Sequence, residues 1–195
     1  MKEKNKNILI ILANPEKTSF SYLIEHKYRI SAEKVGKNVE TIDLYSPEYH
    51  QDYLKFDENG KPIINKETLI MQSKVKWADE IVFIFPIWRF DMPAILKNWL
   101  DTTMTSGFAY KHKVWSLQPT KFLKGKTARI FCNTWGPKWA MKLALIGTWL
   151  NRKFGRMGFV GINLKSFNVF WSRPRKQSSY KQSQYLKKVT QIAKL

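Results

Sequence analysis

Short, fully apolar runs alternate along this chain with longer stretches of mixed character. Residues 7–13, NILIILA, form a continuous apolar run bounded by polar residues. Such a run predicts a parallel strand covered on both faces. Residues 14–18 read as a turn, and Ser19 is placed to cap a helix running to about Val35, which Gly36 ends. Residues 38–44, NVETIDL, alternate like a second strand. Residues 45–65 form a long polar and aromatic connection, with a turn signal at 58–62, ENGKP. A loop of that length is usually functional or an inserted flap. A short helix is predicted over 66–77, and a third buried strand over 79–86, DEIVFIFP.

Residues 92–101 look helical, with Pro93 in the first turn. A second long loop is expected over 102–126, and a fourth strand over 127–134, TARIFCNT. A helix over about 138–153, a fifth strand within 159–169 and a closing amphipathic helix over 176–194 complete the pattern. Alternating strands and helices imply a doubly wound parallel sheet. The 195 residues suit a single α/β domain spanning 1–195. There is no repeat, low-complexity segment or linker.

Composition adds a few constraints. Eight Trp and twelve Phe supply rings for a large core and for flat surfaces facing a ligand or partner. One cysteine, Cys132, excludes an internal disulfide and fits a reducing cytosol. The N-terminal residues are polar, with no signal-peptide core behind them. The apolar stretch 139–150 contains Lys142 and is too short to span a bilayer, so a buried or dimer-facing helix is expected there. The formal charge is +19, from 34 Lys and Arg against 15 acids. Those lysines are spread along the chain, so a solvated, lysine-rich surface explains them as well as an anionic partner does.

Ligands of open parallel sheets bind outside the carboxyl ends of the strands. Three segments with unusual composition sit there. The first is 14–21, NPEKTSFS, where adjacent hydroxyls at a helix start suit a phosphate. An ordinary capped turn explains Thr18 and Ser19 equally well. The second is 85–94, FPIWRFDMPA, with aromatics between two prolines at a strand-to-helix corner. Its rings suit a planar ligand or plain core packing. The third is 133–137, NTWGP, where Gly136 permits a tight turn that aims N–H groups outward. Neither G-x-x-x-x-G-K-[ST] nor G-x-G-x-x-G occurs. His26, His50 and His112 are isolated, and no metal-ligand spacing appears.

Together and in this order, these segments resemble the NAD(P)H:quinone oxidoreductase family of flavodoxin-like flavoproteins, the DT-diaphorase type. The strongest stretch is 85–101, FPIWRFDMPAILKNWLD, with its sequel 107–110, GFAY. The start, LANPEKTSFSYL, is similar to the family's phosphate loop. The resemblance covers about residues 7–165. It implies a flavodoxin-like five-stranded sheet of order 2-1-3-4-5 with helices on both faces.

The resemblance also implies that Thr18, Ser19, Phe20 and Ser21 embrace the flavin phosphate, with Asn14 where His is common. Pro86, Ile87, Trp88, Arg89 and Phe90 would edge the isoalloxazine ring. Asn133, Thr134, Trp135 and Gly136 would hold its pyrimidine side. The implied cofactor is FMN, with FAD as the alternative, and NAD(P)H is the co-substrate. The implied reaction is ping-pong hydride transfer through the flavin to a quinone or similar acceptor, in a cytoplasmic homodimer. An alternative is a flavin-binding ancillary subunit of a potassium-efflux system. Nucleic-acid binding rests on charge alone and is not expected. No membrane span is expected, and peripheral association is left open.

Three departures stand out. Arg89 occupies a position where the family usually carries an aromatic, and Trp135 replaces the first of two glycines. The two would be complementary if the Arg89 guanidinium stacked on Trp135 or on the flavin. No Tyr or His lies between Gly136 and Tyr180, where DT-diaphorase carries one of each.

Overall fold

The structure is a computed structural model that describes residues 6–89, 91–112, 118–135, 156–172 and 179–195. Its centre is a five-stranded sheet of order β2-β1-β3-β6-β7. The strands are β1 (Asn7–Leu12), β2 (Asn38–Asp43), β3 (Glu80–Pro86), β6 (Thr127–Trp135) and β7 (Asn163–Ser172). Each neighbouring pair is parallel. Counting central strands only, this is the 2-1-3-4-5 order of a flavodoxin-like sheet. The helices are α1 (Phe20–Glu33), α2 (Lys66–Trp77), α3 (Ala94–Thr103), α4 (Arg156–Val160) and α5 (Ser179–Lys194).

The continuous apolar runs hide a period of two that assigns each residue to a layer. Leu9, Ile11, Ile81, Phe83 and Phe85 point to one side, where Met71 and Val75 of α2 and Leu96 and Trp99 of α3 cover them. Ile8, Ile10, Leu12, Val82 and Ile84 point to the other, against Ile24 and Tyr28 of α1 and Val189 and Ala193 of α5. Burying each such side chain fully contributes about 1.5–3 kcal/mol. A run that is apolar at every position is therefore what a two-sided sheet demands.

Helix boundaries follow local chemistry. Asn65 caps α2, its Oδ1 accepting from the Thr68 N–H at 2.8 Å, a contact worth about 1 kcal/mol. Ser19 occupies the N-cap of α1 but makes no side-chain capping bond, contrary to its expected role. Gly36 ends that region with φ +82°, a backbone that glycine adopts without strain. The helix expected over 92–101 runs instead from Ala94 to Thr103, with Pro93 as its N-cap rather than in its first turn. Proline keeps the preceding Met92 out of the helical region.

Two further expectations need correction. The loop expected over 102–126 contains a small antiparallel hairpin of β4 (Tyr110–Lys111) and β5 (Thr120–Lys121). The last strand begins at Asn163 and runs on to Ser172, while Phe159 and Val160 belong to α4. The helix predicted over 138–153 lies outside the described residues.

Candidate functional site at the carboxyl ends of β1, β3 and β6

The three segments singled out above converge. Asn14, two residues beyond the end of β1, is 6% exposed. Its Nδ2 donates to Ser21 Oγ at 3.1 Å, and Ser21 Oγ donates to Asn133 Oδ1 at 3.1 Å. The Asn133 carbonyl accepts from the Ile87 N–H at 2.8 Å. One hydrogen-bonded chain therefore joins the β1 loop, the start of α1, the end of β6 and the corner after β3. Most buried polar groups are paired in this way. Ser21 is wholly buried and its hydroxyl serves this chain, so it offers a ligand its backbone rather than its side chain.

The start of α1 has anion-binding character. Its first turn carries no acid, and the first N–H groups of a helix lack partners within it. Ser19 Oγ is buried there without a hydrogen-bond partner. A buried orphan hydroxyl costs about 1–3 kcal/mol, which a phosphate oxygen would recover. The donor set therefore fits the phosphate end of a nucleotide.

Thr18 is exposed, its hydroxyl 3.4 Å from Glu16 Oε1. The Phe20 ring stacks on Phe170 at 4.4 Å and meets Tyr185 at 5.9 Å, leaving only its backbone for the loop. Lys17 is drawn aside by Asp43 at 2.5 Å, and Tyr22 donates to the same carboxylate at 2.6 Å. Burial first, and then the Asp43 contact, raises the Tyr22 phenol above its ordinary value.

The corner after β3 is a tight two-residue turn. Trp88 and Asp91 exchange backbone hydrogen bonds, both of 2.9 Å. Arg89 stands at the first central position with φ +48°, as a primed hairpin turn requires. Pro86 is buried, Ile87 half-buried and Trp88 44% exposed. Arg89 is exposed and makes no ion pair among the described residues. A non-glycine residue there is strained, so Arg89→Gly is expected to raise stability by about 0.5–1 kcal/mol. A thermal melt of the two proteins checks it; a lower midpoint for the variant would show that the arginine side chain is itself held by contacts.

Thr134 is buried. The backbone of Trp135 closes β6, while its side chain, Phe90 and Gly136 lie outside the described residues. So does any pairing of Arg89 with Trp135. Among the described residues no group of His, Cys, Asp and Glu could hold a metal ion. Cys132 is buried, and burial pushes its thiol up, away from the reactive thiolate.

Sequence reasoning missed the Asn14–Ser21–Asn133 chain as a unit. Its only signal was that each member follows a strand or opens a helix.

Residues 6–192 match the family model described as flavodoxin-like fold. The chain belongs to this family. Smu.1420 of Streptococcus mutans UA159 is similar in structure, with a TM-score of 0.80, 30% identity and coverage of 96% of this chain and 98% of that one. The mouse ribosyldihydronicotinamide dehydrogenase [quinone] is 29% identical over 150 residues, covering 67% of this chain and 64% of that protein. An FMN-dependent NADH-azoreductase of Bacillus anthracis, solved in complex with FMN, shares the fold at 19% identity and a TM-score of 0.72. It covers 96% of this chain and 97% of its own. The chain spans about half to two thirds of the length of the curated relatives it matches. Within this flavodoxin-like family, the strand-end cradle sits where open parallel sheets place their ligands.

Proposed function

We propose that this flavodoxin-like chain is a flavin-dependent NAD(P)H oxidoreductase that passes hydride to a quinone or similar acceptor. The observation that carries this reading is the hydrogen-bonded chain from Asn14 through Ser21 and Asn133 to Ile87. It makes one rigid cradle of three segments that each resemble a flavin-contacting motif. The names of the relatives, quinone-type dehydrogenases and an FMN-dependent reductase, support the same reading.

In this reading the cofactor is FMN. Ser19 Oγ, the Thr18 N–H and the first N–H groups of α1, those of Phe20 and Ser21, would hold its phosphate, while the Ser19 N–H is already given to the Glu16 carbonyl. Pro86, Ile87, Trp88, Arg89 and Phe90 would edge the ring on one side, and Asn133, Thr134, Trp135 and Gly136 would lie along its pyrimidine edge. A bound flavin supplies the two-electron relay between donor and acceptor. The protein's own part is to fix the ring, present N–H donors to charge that develops along its edge, and leave one face open. With that face open, NAD(P)H would bind first and leave before the acceptor, which would give ping-pong kinetics and need no second dinucleotide motif. The working unit is a homodimer in the cytoplasm.

The test begins with the visible absorbance spectrum of the purified protein and the mass of the released cofactor, expected to be FMN. Steady-state NAD(P)H oxidation at several fixed quinone concentrations should give parallel double-reciprocal lines. A colourless protein that takes up no FMN overturns the reading. A flavoprotein with intersecting lines would keep the cofactor and remove the shared site.

A further inference from the structure

Among the described residues the two helical layers differ in how their lysines are paired. Along Ser179–Lys194, α5 carries Lys181, Lys187, Lys188 and Lys194 and no acid. Tyr180, Lys187, Lys188, Lys194 and Leu195 are all exposed, at spacings that keep them on one side of the helix. Leu23 and Lys27 of α1 and Lys34 at its C-cap form a second exposed stripe. The helices are neighbours: Ser31 Oγ donates to Thr190 Oγ1 at 3.4 Å, and Lys37 Nζ donates to the Ala193 carbonyl at 2.8 Å. Their outer stripes therefore make one face. Its exposed acid, Glu33, lies 3.6 Å from Arg29, and Glu25 is buried against the same arginine.

Among the described residues the opposite layer holds several of its lysines in ion pairs. There Lys74 pairs with Glu40, Lys97 with Asp101 and Lys55 with Asp52. The lysines of this face, Lys27, Lys34, Lys181, Lys187, Lys188 and Lys194, make no ion pair among the described residues.

The face is also apolar in places. Leu195 is 77% exposed and Tyr180 68%, at the two ends of α5, and Leu23 and Val35 are exposed on and just after α1. Exposed lysines attract any polyanion. Aliphatic and aromatic side chains set among them gain nothing from a phosphodiester backbone. They do gain from burial at the boundary between lipid headgroups and acyl chains. A second copy of the chain is a poor occupant, because a two-fold contact would set lysine against lysine. Among the described residues no helix is long and apolar enough to cross a membrane, so contact would be peripheral.

We propose that the α1/α5 face docks on an anionic lipid bilayer, the lysines meeting the headgroups while Tyr180, Leu195, Leu23 and Val35 enter the interface. The proposal does not depend on the flavin reading.

Co-sedimentation of the full chain with phosphatidylcholine vesicles, with and without phosphatidylglycerol, tests it. Binding is expected only with the anionic lipid, and salt should weaken it. Each lysine near such a surface is worth about fivefold in partitioning. The variant Lys34→Gln/Lys187→Gln/Lys188→Gln should therefore partition roughly 100-fold more weakly. A control, Lys61→Gln/Lys66→Gln/Lys76→Gln, removes the same charge elsewhere and should stay within roughly twofold of wild type once long-range attraction is screened. Tyr180→Ser/Leu195→Ser should also weaken vesicle binding, and circular dichroism verifies that each variant is folded. Equal binding to neutral vesicles, or equal loss in both lysine variants, overturns the proposal. So does tight duplex-DNA binding that needs the α1/α5 lysines while Tyr180→Ser/Leu195→Ser leaves vesicle binding unchanged.

Discussion

Replacing Glu80 with leucine should cost about 3–5 kcal/mol of stability, the usual penalty for removing one partner of a buried ion pair. Glu80 is 1% exposed at the amino end of β3, at the far end of the strand from the cradle. Its carboxylate accepts from Lys6 Nζ at 2.8 Å, Tyr28 Oη at 2.7 Å, Arg129 Nε at 2.9 Å and Thr127 Oγ1 at 3.1 Å. Burial alone would raise its pKa. The Lys6 hydrogen bond, the Arg129 charge and the Tyr28 hydroxyl outweigh burial and hold it at about 2, against an ordinary 4.5. Leucine would leave Arg129, itself 9% exposed, charged and without this partner, and Tyr28 without its acceptor.

The sign of the pH effect follows. A folded-state pKa below the unfolded one contributes stability that is fully present above about pH 5. That contribution, about 3 kcal/mol, is lost as the pH falls from 4.5 through about 2. Denaturant melts of wild type and Glu80→Gln at neutral pH and near pH 3 measure it. The wild type should lose ground to the variant as acid is added. Parallel losses would assign acid sensitivity to other carboxylates. Glu80→Leu/Arg129→Leu should recover much of the single variant's loss, because an apolar pair leaves no orphan charge.

None of this network was legible along the chain. Residues 6, 28, 80, 127 and 129 are brought together only by strand order, and a lone Glu at the start of an apolar run looks like an ordinary boundary. The sheet itself was legible, because a strand covered on both faces is apolar along most of its length, as β1 and β3 are after their first residues. The β4–β5 hairpin was not, since strands of two residues fall below any periodic signal. The block after β3 was read from its prolines and rings, but not the left-handed backbone of Arg89, where only a glycine would have announced the turn. The lysines of α1 and α5 are scattered in sequence and become a face only once the two helices pack side by side. In each case a pattern within one element could be read, and a property of several elements could not.

The same distinction decides what to expect at the loop proposed to hold the phosphate. From sequence, Thr18 and Ser19 are equivalent hydroxyls. In the fold Thr18 is exposed beside Glu16, while Ser19 Oγ is buried and orphaned at the amino end of α1. Ser19→Ala should therefore weaken FMN binding by about 10- to 100-fold, since a hydrogen bond to a charged group is worth about 1.5–3 kcal/mol. Thr18→Ala should change it by less than about threefold, the effect of a solvent-exposed bond. Without ligand, Ser19→Ala should leave stability unchanged or raise it, because the hydroxyl has no partner to lose. Fluorescence titration of the apo-protein with FMN gives the affinities, and riboflavin is the decisive control. Riboflavin lacks the phosphate, so its binding should be the same in wild type and Ser19→Ala. If the variant weakens riboflavin and FMN alike, Ser19 shapes the ring pocket and the phosphate lies elsewhere. If it weakens neither, the start of α1 is not part of the site.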